Sequence, residues 1–146
     1  MKDVFEILSD IKPHIDKEIE KIIPRKGEPQ VLFDGCWHYL DAGGKRFRPA
    51  LIALSAEALG GKQEHTILAG VALEIAHTFF LVHDDIEDFS ELRRGQPSMH
   101  VKFGLPHAVN IGDYLFMKAY DAITKGKNLW GMEKTIKIID ILTEMF

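Results

Sequence analysis

Val4, Leu8, Ile11, Ile15, Ile19 and Ile22 recur at spacings of three and four, the interval that gathers side chains on one face of an α-helix. This predicts an amphipathic helix over residues 3–23, kinked or split where Pro13 removes a backbone donor. "PRKGEPQ" ends it, because Pro24, Gly27 and Pro29 oppose helical continuation. A second helix is expected over Val31–Leu40, followed by an "AGGKR" loop. The third carries Pro49 in its first turn and runs to Gly60-Gly61. Helical periodicity resumes at Glu64 and continues to about Asp88, with Gly70 as a weak point. Ala69 to Val82 is apolar on most faces, which marks a centrally buried helix. "ELRRGQPS" reads as a loop, and two more helices follow, roughly Pro106–Thr124 and Met132 onward. Period-two alternation is absent, so the expectation is an all-α bundle of about six helices and no strand. "MEKTIKIIDILTEMF" reaches Phe146 without the glycine, proline or polar tail that usually closes a helix. The expectation drawn from it is that residues 1–146 form half of a larger bundle.

Composition narrows the class. A chain of 146 residues suffices for one domain, and 46% hydrophobic with 27% charged residues describes a folded chain rather than a disordered one. A net charge of -4 gives no reason to expect nucleic acid as a partner. Any anion site must therefore be a local cluster. The single cysteine, Cys36, permits no internal disulfide and reads as a small core residue. No uninterrupted apolar stretch reaches the ~18 residues of a membrane span. Residues 1–20 are too charged for a signal peptide, so a cytoplasmic protein without a membrane span is expected.

The chemistry concentrates in "LVHDDIEDFSELRRGQ", residues 81–96. Asp84 and Asp88 are four apart, which on a helix sets them one turn above each other on one face. Asp85 lies beside them, and Glu87 points elsewhere. Carboxylates aimed from the end of a buried helix suit Mg2+, whose shell is completed by water and substrate phosphates. His77 and His83 lack a third His or Cys, which disfavours zinc. Arg93 and Arg94 precede Gly95 in a loop able to present guanidinium groups to an anion. "GGKRFRP" supplies a second cationic set, Lys45, Arg46 and Arg48, behind two glycines that permit close backbone approach. Two basic loops around an acidic metal site suggest two phosphorylated substrates. Neither glycine pattern is a P-loop or dinucleotide fingerprint.

"GGKRFRP", "HTFFLVHDDIEDFSELRRGQPSMH" and "GDYLF" together resemble the trans-isoprenyl diphosphate synthases, or polyprenyl synthetases. The resemblance covers nearly the whole chain. It implies the N-terminal half of the isoprenoid synthase helical bundle, and an enzyme that joins an allylic diphosphate to isopentenyl diphosphate. It implies that Asp84 and Asp88 hold Mg2+ on the allylic diphosphate, with Asp85 supporting, and that Arg93 binds the same group. Lys45, Arg48, His77 and Arg94 are then the contacts to isopentenyl diphosphate. His38, His83, His100 and His107 keep ordinary structural readings.

Members of the family resembled are about twice as long and carry a second aspartate-rich motif. Here Asp113, Asp121, Glu133, Asp140 and Glu144 are scattered. The expected partners are therefore a complementary C-terminal half or larger subunit, or a second copy, and little turnover is expected alone. A non-catalytic subunit of a heteromeric synthase and a terpene cyclase-like protein are the alternatives. Phe79 and Phe80, just before Asp84, are read as a floor limiting product length, with C15 farnesyl diphosphate expected and C20 geranylgeranyl diphosphate next.

Overall fold

The structure is a computed structural model that describes residues 4–145. The expected beginning of the first helix at residue 3 and the end at Phe146 lie outside the described residues, as does the side chain of Val4. Six helices of twelve residues or more carry the architecture: α1 (Val4–Ile22), α2 (Gln30–Asp41), α3 (Phe47–Ala58), α4 (Ile67–Glu87), α6 (Leu105–Lys125) and α8 (Met132–Glu144). Two short helices, α5 (Met99–Phe103) and α7 (Lys127–Trp130), and a 3-10 turn at Gln63–His65 complete the helical content.

α4 is the axis, packed along α6 and flanked by α3 and α1, while α2 and α5 rest on α6. Its length and composition alone would allow it to cross a membrane. Here Val71, Ile75, Ala76 and Val82 are buried against Ile111, Leu115 and Ile123 of α6 and Ile15 and Ile19 of α1. Truncating a side chain such as Ile75 to alanine would cost about 2–5 kcal/mol. Gly70 does not weaken α4. A Cβ there would lie 3.0 Å from the Pro49 Cβ, so the glycine lets the first turn of α3 approach closely. Gly112 does the same between α6 and α4, where a Cβ would come 2.3 Å from Nε2 of His83.

Two sequence expectations change. Pro13 neither splits nor ends α1, which runs unbroken for 19 residues. Pro13 and Ser9, whose carbonyl loses its donor, are both exposed, so water can satisfy the freed acceptor. The segment expected to be a loop also contains strands: β1 (Leu92–Arg93) pairs antiparallel with β2 (Gln96–Pro97). Arg94 (φ 52°) and Gly95 (φ 77°) form its two-residue turn. Positive φ at both central positions is what a type I′ hairpin requires. α8 buries Thr135 and Leu142, and leaves Ile136 and Ile141 exposed.

Candidate active site

Asp84, Asp85 and Asp88 all lie at the C-terminal end of α4, with Asp88 as its C-cap. Carboxylates are disfavoured there, because the helix dipole already places negative potential at that end. No basic side chain occupies the last turn of α4 to offset them. The chain leaves the helix through Phe89, held at φ 54°, with Ser90 N–H donating to the Asp85 carbonyl (3.0 Å) and Phe89 N–H to that of Ile86 (3.3 Å). This is a Schellman closure with phenylalanine where glycine is usual. Arg46, Phe89 and Arg94 are the non-glycine residues at positive φ among the described residues. Two of them belong to the basic loops and the third to the acidic turn, and strain of this kind concentrates at functional sites.

The three aspartates divide by face. Asp84 and Asp88 are exposed, whereas Asp85 is fully buried. Arg93 forks onto Asp85, its Nε donating to both carboxylate oxygens (3.0 and 3.1 Å) and its Nη2 to Oδ1. The hydroxyl of Tyr39, on α2, donates to Oδ2 and accepts from Met99 N–H at 3.0 Å. Hydrogen bonding to Asp85 holds the Arg93 guanidinium further above its ordinary range. Burial, then the bond to Asp85, raises the Tyr39 phenol well above its own.

The two basic loops meet alongside α4. A Cβ on Gly44 would lie 3.6 Å from Nη1 of Arg94 and 3.6 Å from Oε1 of Glu74, so the "GGKR" loop touches the hairpin tip and α4. His77 lies half-buried beneath them. Burial lowers its pKa, and the charges of Arg48, Arg94 and Arg93 lower it further against the opposing effect of Glu74. Lys45 and Arg48 are exposed, and the Lys45 ammonium lies 5.5 Å from the Phe5 ring.

Arg46 does not join them. It is buried, with Nε on Asp16 (2.7 Å), Nη1 on Glu74 (3.0 Å) and Nη2 on the Leu40 carbonyl (3.1 Å). It clamps α1, α2 and α4 beneath the loop and has no face left for an anion, which corrects its place in the second cationic set.

Phe79 and Phe80 are half-buried, with ring centroids 5.0 Å apart. Phe79 also meets His83 (4.7 Å) and Phe116 of α6 (5.3 Å), extending an aromatic wall between the two central helices. His38 is buried, donating from Nε2 to the Pro97 carbonyl (2.8 Å) while Nδ1 accepts from Lys102 (3.0 Å). His107 is exposed with Nδ1 on the Phe103 carbonyl, and His100 faces the Ser98 hydroxyl. Cys36 is a core residue whose thiol is pushed up to about 12 by burial.

The family model for polyprenyl synthetases matches residues 29–146. The chain belongs to the polyprenyl synthetase family. It is 39% identical over 138 residues to a geranylgeranyl diphosphate synthase of Sulfolobus acidocaldarius, covering 94% of this chain and 40% of that protein. A short chain isoprenyl diphosphate synthase of Methanothermobacter thermautotrophicus is 37% identical over 95% of this chain and 42% of its own length. Among solved structures, the geranylgeranyl pyrophosphate synthetase of Pyrococcus horikoshii superposes with a TM-score of 0.88 at 38% identity, covering 95% of this chain and 42% of that one. The chain therefore spans about two-fifths of the length of these relatives.

Family membership implies magnesium, and the donor set can be tested against it. Among the described residues no three His, Cys, Asp or Glu converge into a cage. Two exposed carboxylates one turn apart, at a helix end without basic compensation, remain. Mg2+ keeps several waters and takes one or two carboxylates plus substrate oxygens, so the pair fits. What the sequence did not disclose is Tyr39. It falls within the helix expected over Val31–Leu40, where its position gives no sign of its bond to Asp85.

Proposed function

We propose that the chain supplies one wall of a Mg2+-dependent prenyltransferase site, where an allylic diphosphate condenses with isopentenyl diphosphate. The observation that carries this reading is the meeting of two arginine-bearing loops beside Glu74 and His77, on the same helix that presents Asp84 and Asp88 at its C-terminal end. Asp84 and Asp88 would hold Mg2+, which when bound neutralises charge on the departing pyrophosphate. Arg93 directs the guanidinium edge not engaged by Asp85 toward the same diphosphate. Lys45, Arg48 and Arg94 take the isopentenyl diphosphate, and His77, kept neutral by burial and the surrounding arginines, donates an N–H to it.

In this reading the allylic C–O bond breaks, the alkene of isopentenyl diphosphate attacks the allylic carbon, and a proton leaves to the released pyrophosphate. The apolar side chains below Asp84 keep water from the cationic carbon. The opposite wall is assigned to a complementary segment or subunit, without which turnover is expected to be small. Phe79 and Phe80 set the depth open to the growing chain. The names of the relatives favour a C20 geranylgeranyl product over C15 farnesyl.

The test is prenyl transfer by the chain assembled with its complement, from geranyl diphosphate, isopentenyl diphosphate and Mg2+, with products read by mass spectrometry of the dephosphorylated alcohols. Asp84→Ala is expected to lower the rate at least ~100-fold, as loss of a preorganised transition-state contact does. A rate unchanged by Asp84→Ala would overturn the reading.

A further inference from the structure

We propose that Tyr39 is a positioning residue, one that sets the guanidinium of Arg93 by fixing the carboxylate of Asp85 from behind. Resting on the reading of Arg93 as a diphosphate contact, this extends the site into α2. A carboxylate has about four acceptor positions. Those of Asp85 are filled by Nε and Nη2 of Arg93 and by the Tyr39 hydroxyl. Asp85 is fully buried, so no water can replace a missing donor. Tyr39 is itself buried, and its oxygen is pinned by Met99 N–H at the first turn of α5.

One hydroxyl thus joins α2, α4, α5 and the hairpin at a single carboxylate. With Tyr39 in place, Asp85 cannot turn about its own side-chain axis, and the fork holds Arg93 in one orientation. Arg93 remains partly exposed and lies within the field of Asp84. The guanidinium edge left over from the fork is therefore presented on the side of the exposed Asp84. Without the hydroxyl, the Asp85 carboxylate can turn about its own axis, the fork onto Arg93 loosens, and the guanidinium is no longer held in the orientation that meets a diphosphate. Burial and the bond to Asp85 keep the phenol protonated across the working pH range, so it stays a donor.

Tyr39→Phe, made in the full chain, tests this by hydrogen exchange of the arginine side-chain Nε–H groups observed by NMR. The Arg93 signal is assigned by its loss in Arg93→Lys. Arg46, held by Asp16, Glu74 and the Leu40 carbonyl, serves as a control in the same molecule. The expected result is a rise of roughly tenfold in the exchange of Arg93 Nε–H, the scale of one lost charge-assisted hydrogen bond, with Arg46 unchanged. Unchanged exchange at Arg93, or equal rises at Arg93 and Arg46, would overturn the proposal, the latter by showing general loosening. Calorimetry with Mg2+ adds a second reading: affinity for geranyl diphosphate should fall about five- to tenfold while that for isopentenyl diphosphate stays constant. If exchange at Arg93 rises and neither affinity moves, Tyr39 still positions Arg93, and the assignment of Arg93 to the allylic diphosphate is what fails.

Discussion

Arg46→Met removes the clamp beneath the "GGKR" loop while keeping much of the side-chain volume. Its three hydrogen-bonded partners respond differently. Asp16 is partly exposed and keeps Lys12, so it rehydrates at little cost. The Leu40 carbonyl loses a donor, worth about 1 kcal/mol. Glu74 dominates, since its buried carboxylate loses its ion-pair partner, and breaking a buried pair from one side costs about 3–5 kcal/mol. The sum is about 4–6 kcal/mol, or a fall in Tm of roughly 13–20 °C for a domain of this size. Urea denaturation followed by circular dichroism measures it. Arg46→Met with Glu74→Gln should recover at least half of the loss. A destabilisation under about 1 kcal/mol, or no recovery in the double variant, would refute the clamp.

Other consequences follow from the same geometry. Arg48→Gln and Arg94→Gln should each raise the pKa of His77 toward its ordinary 6.5, seen in an NMR titration of its ring proton; an unchanged value would separate those arginines from His77. Because folding lowers this pKa, the contribution of neutral His77 to stability is complete above pH 6.5 and declines as pH falls from there toward the folded value. A diphosphate bound beside His77 should reverse the shift. In the assembled enzyme, replacing Phe79 and Phe80 together with alanine should lengthen the prenyl products in mass spectra of the alcohols, and the same product distribution would remove both rings from chain-length control.

Legibility in the sequence depended on periodicity. The stripe Leu8, Ile11, Ile15, Ile19 and Ile22 and the apolar run of α4 gave the bundle, because burial of a helix face leaves a repeat that can be counted. Asp84 and Asp88 were legible as a pair for the same reason, being four apart. Asp85 was not: adjacent carboxylates look alike in sequence, yet one step along a helix turns the side chain about 100° and carries it from solvent into the core. Arg46 and Arg48 were likewise indistinguishable, though a left-handed backbone at Arg46 sends its side chain inward. Strands of two residues are too short to show alternation, so the hairpin was hidden. Its signal was the Arg94-Gly95 step, where a glycine can take one of the two positive φ angles that such a turn demands.

The central claim is that Asp84 and Asp88 bring a divalent cation to an allylic diphosphate held by the neighbouring arginines. Isothermal titration of the full chain with geranyl diphosphate, with and without Mg2+, tests it most directly. The account predicts binding that strengthens at least tenfold with Mg2+, an enhancement lost in Asp84→Asn with Asp88→Asn and retained in Asp140→Asn, a change on the exposed face of α8. Affinity independent of Mg2+, or a cation effect that survives loss of both aspartates, would contradict it.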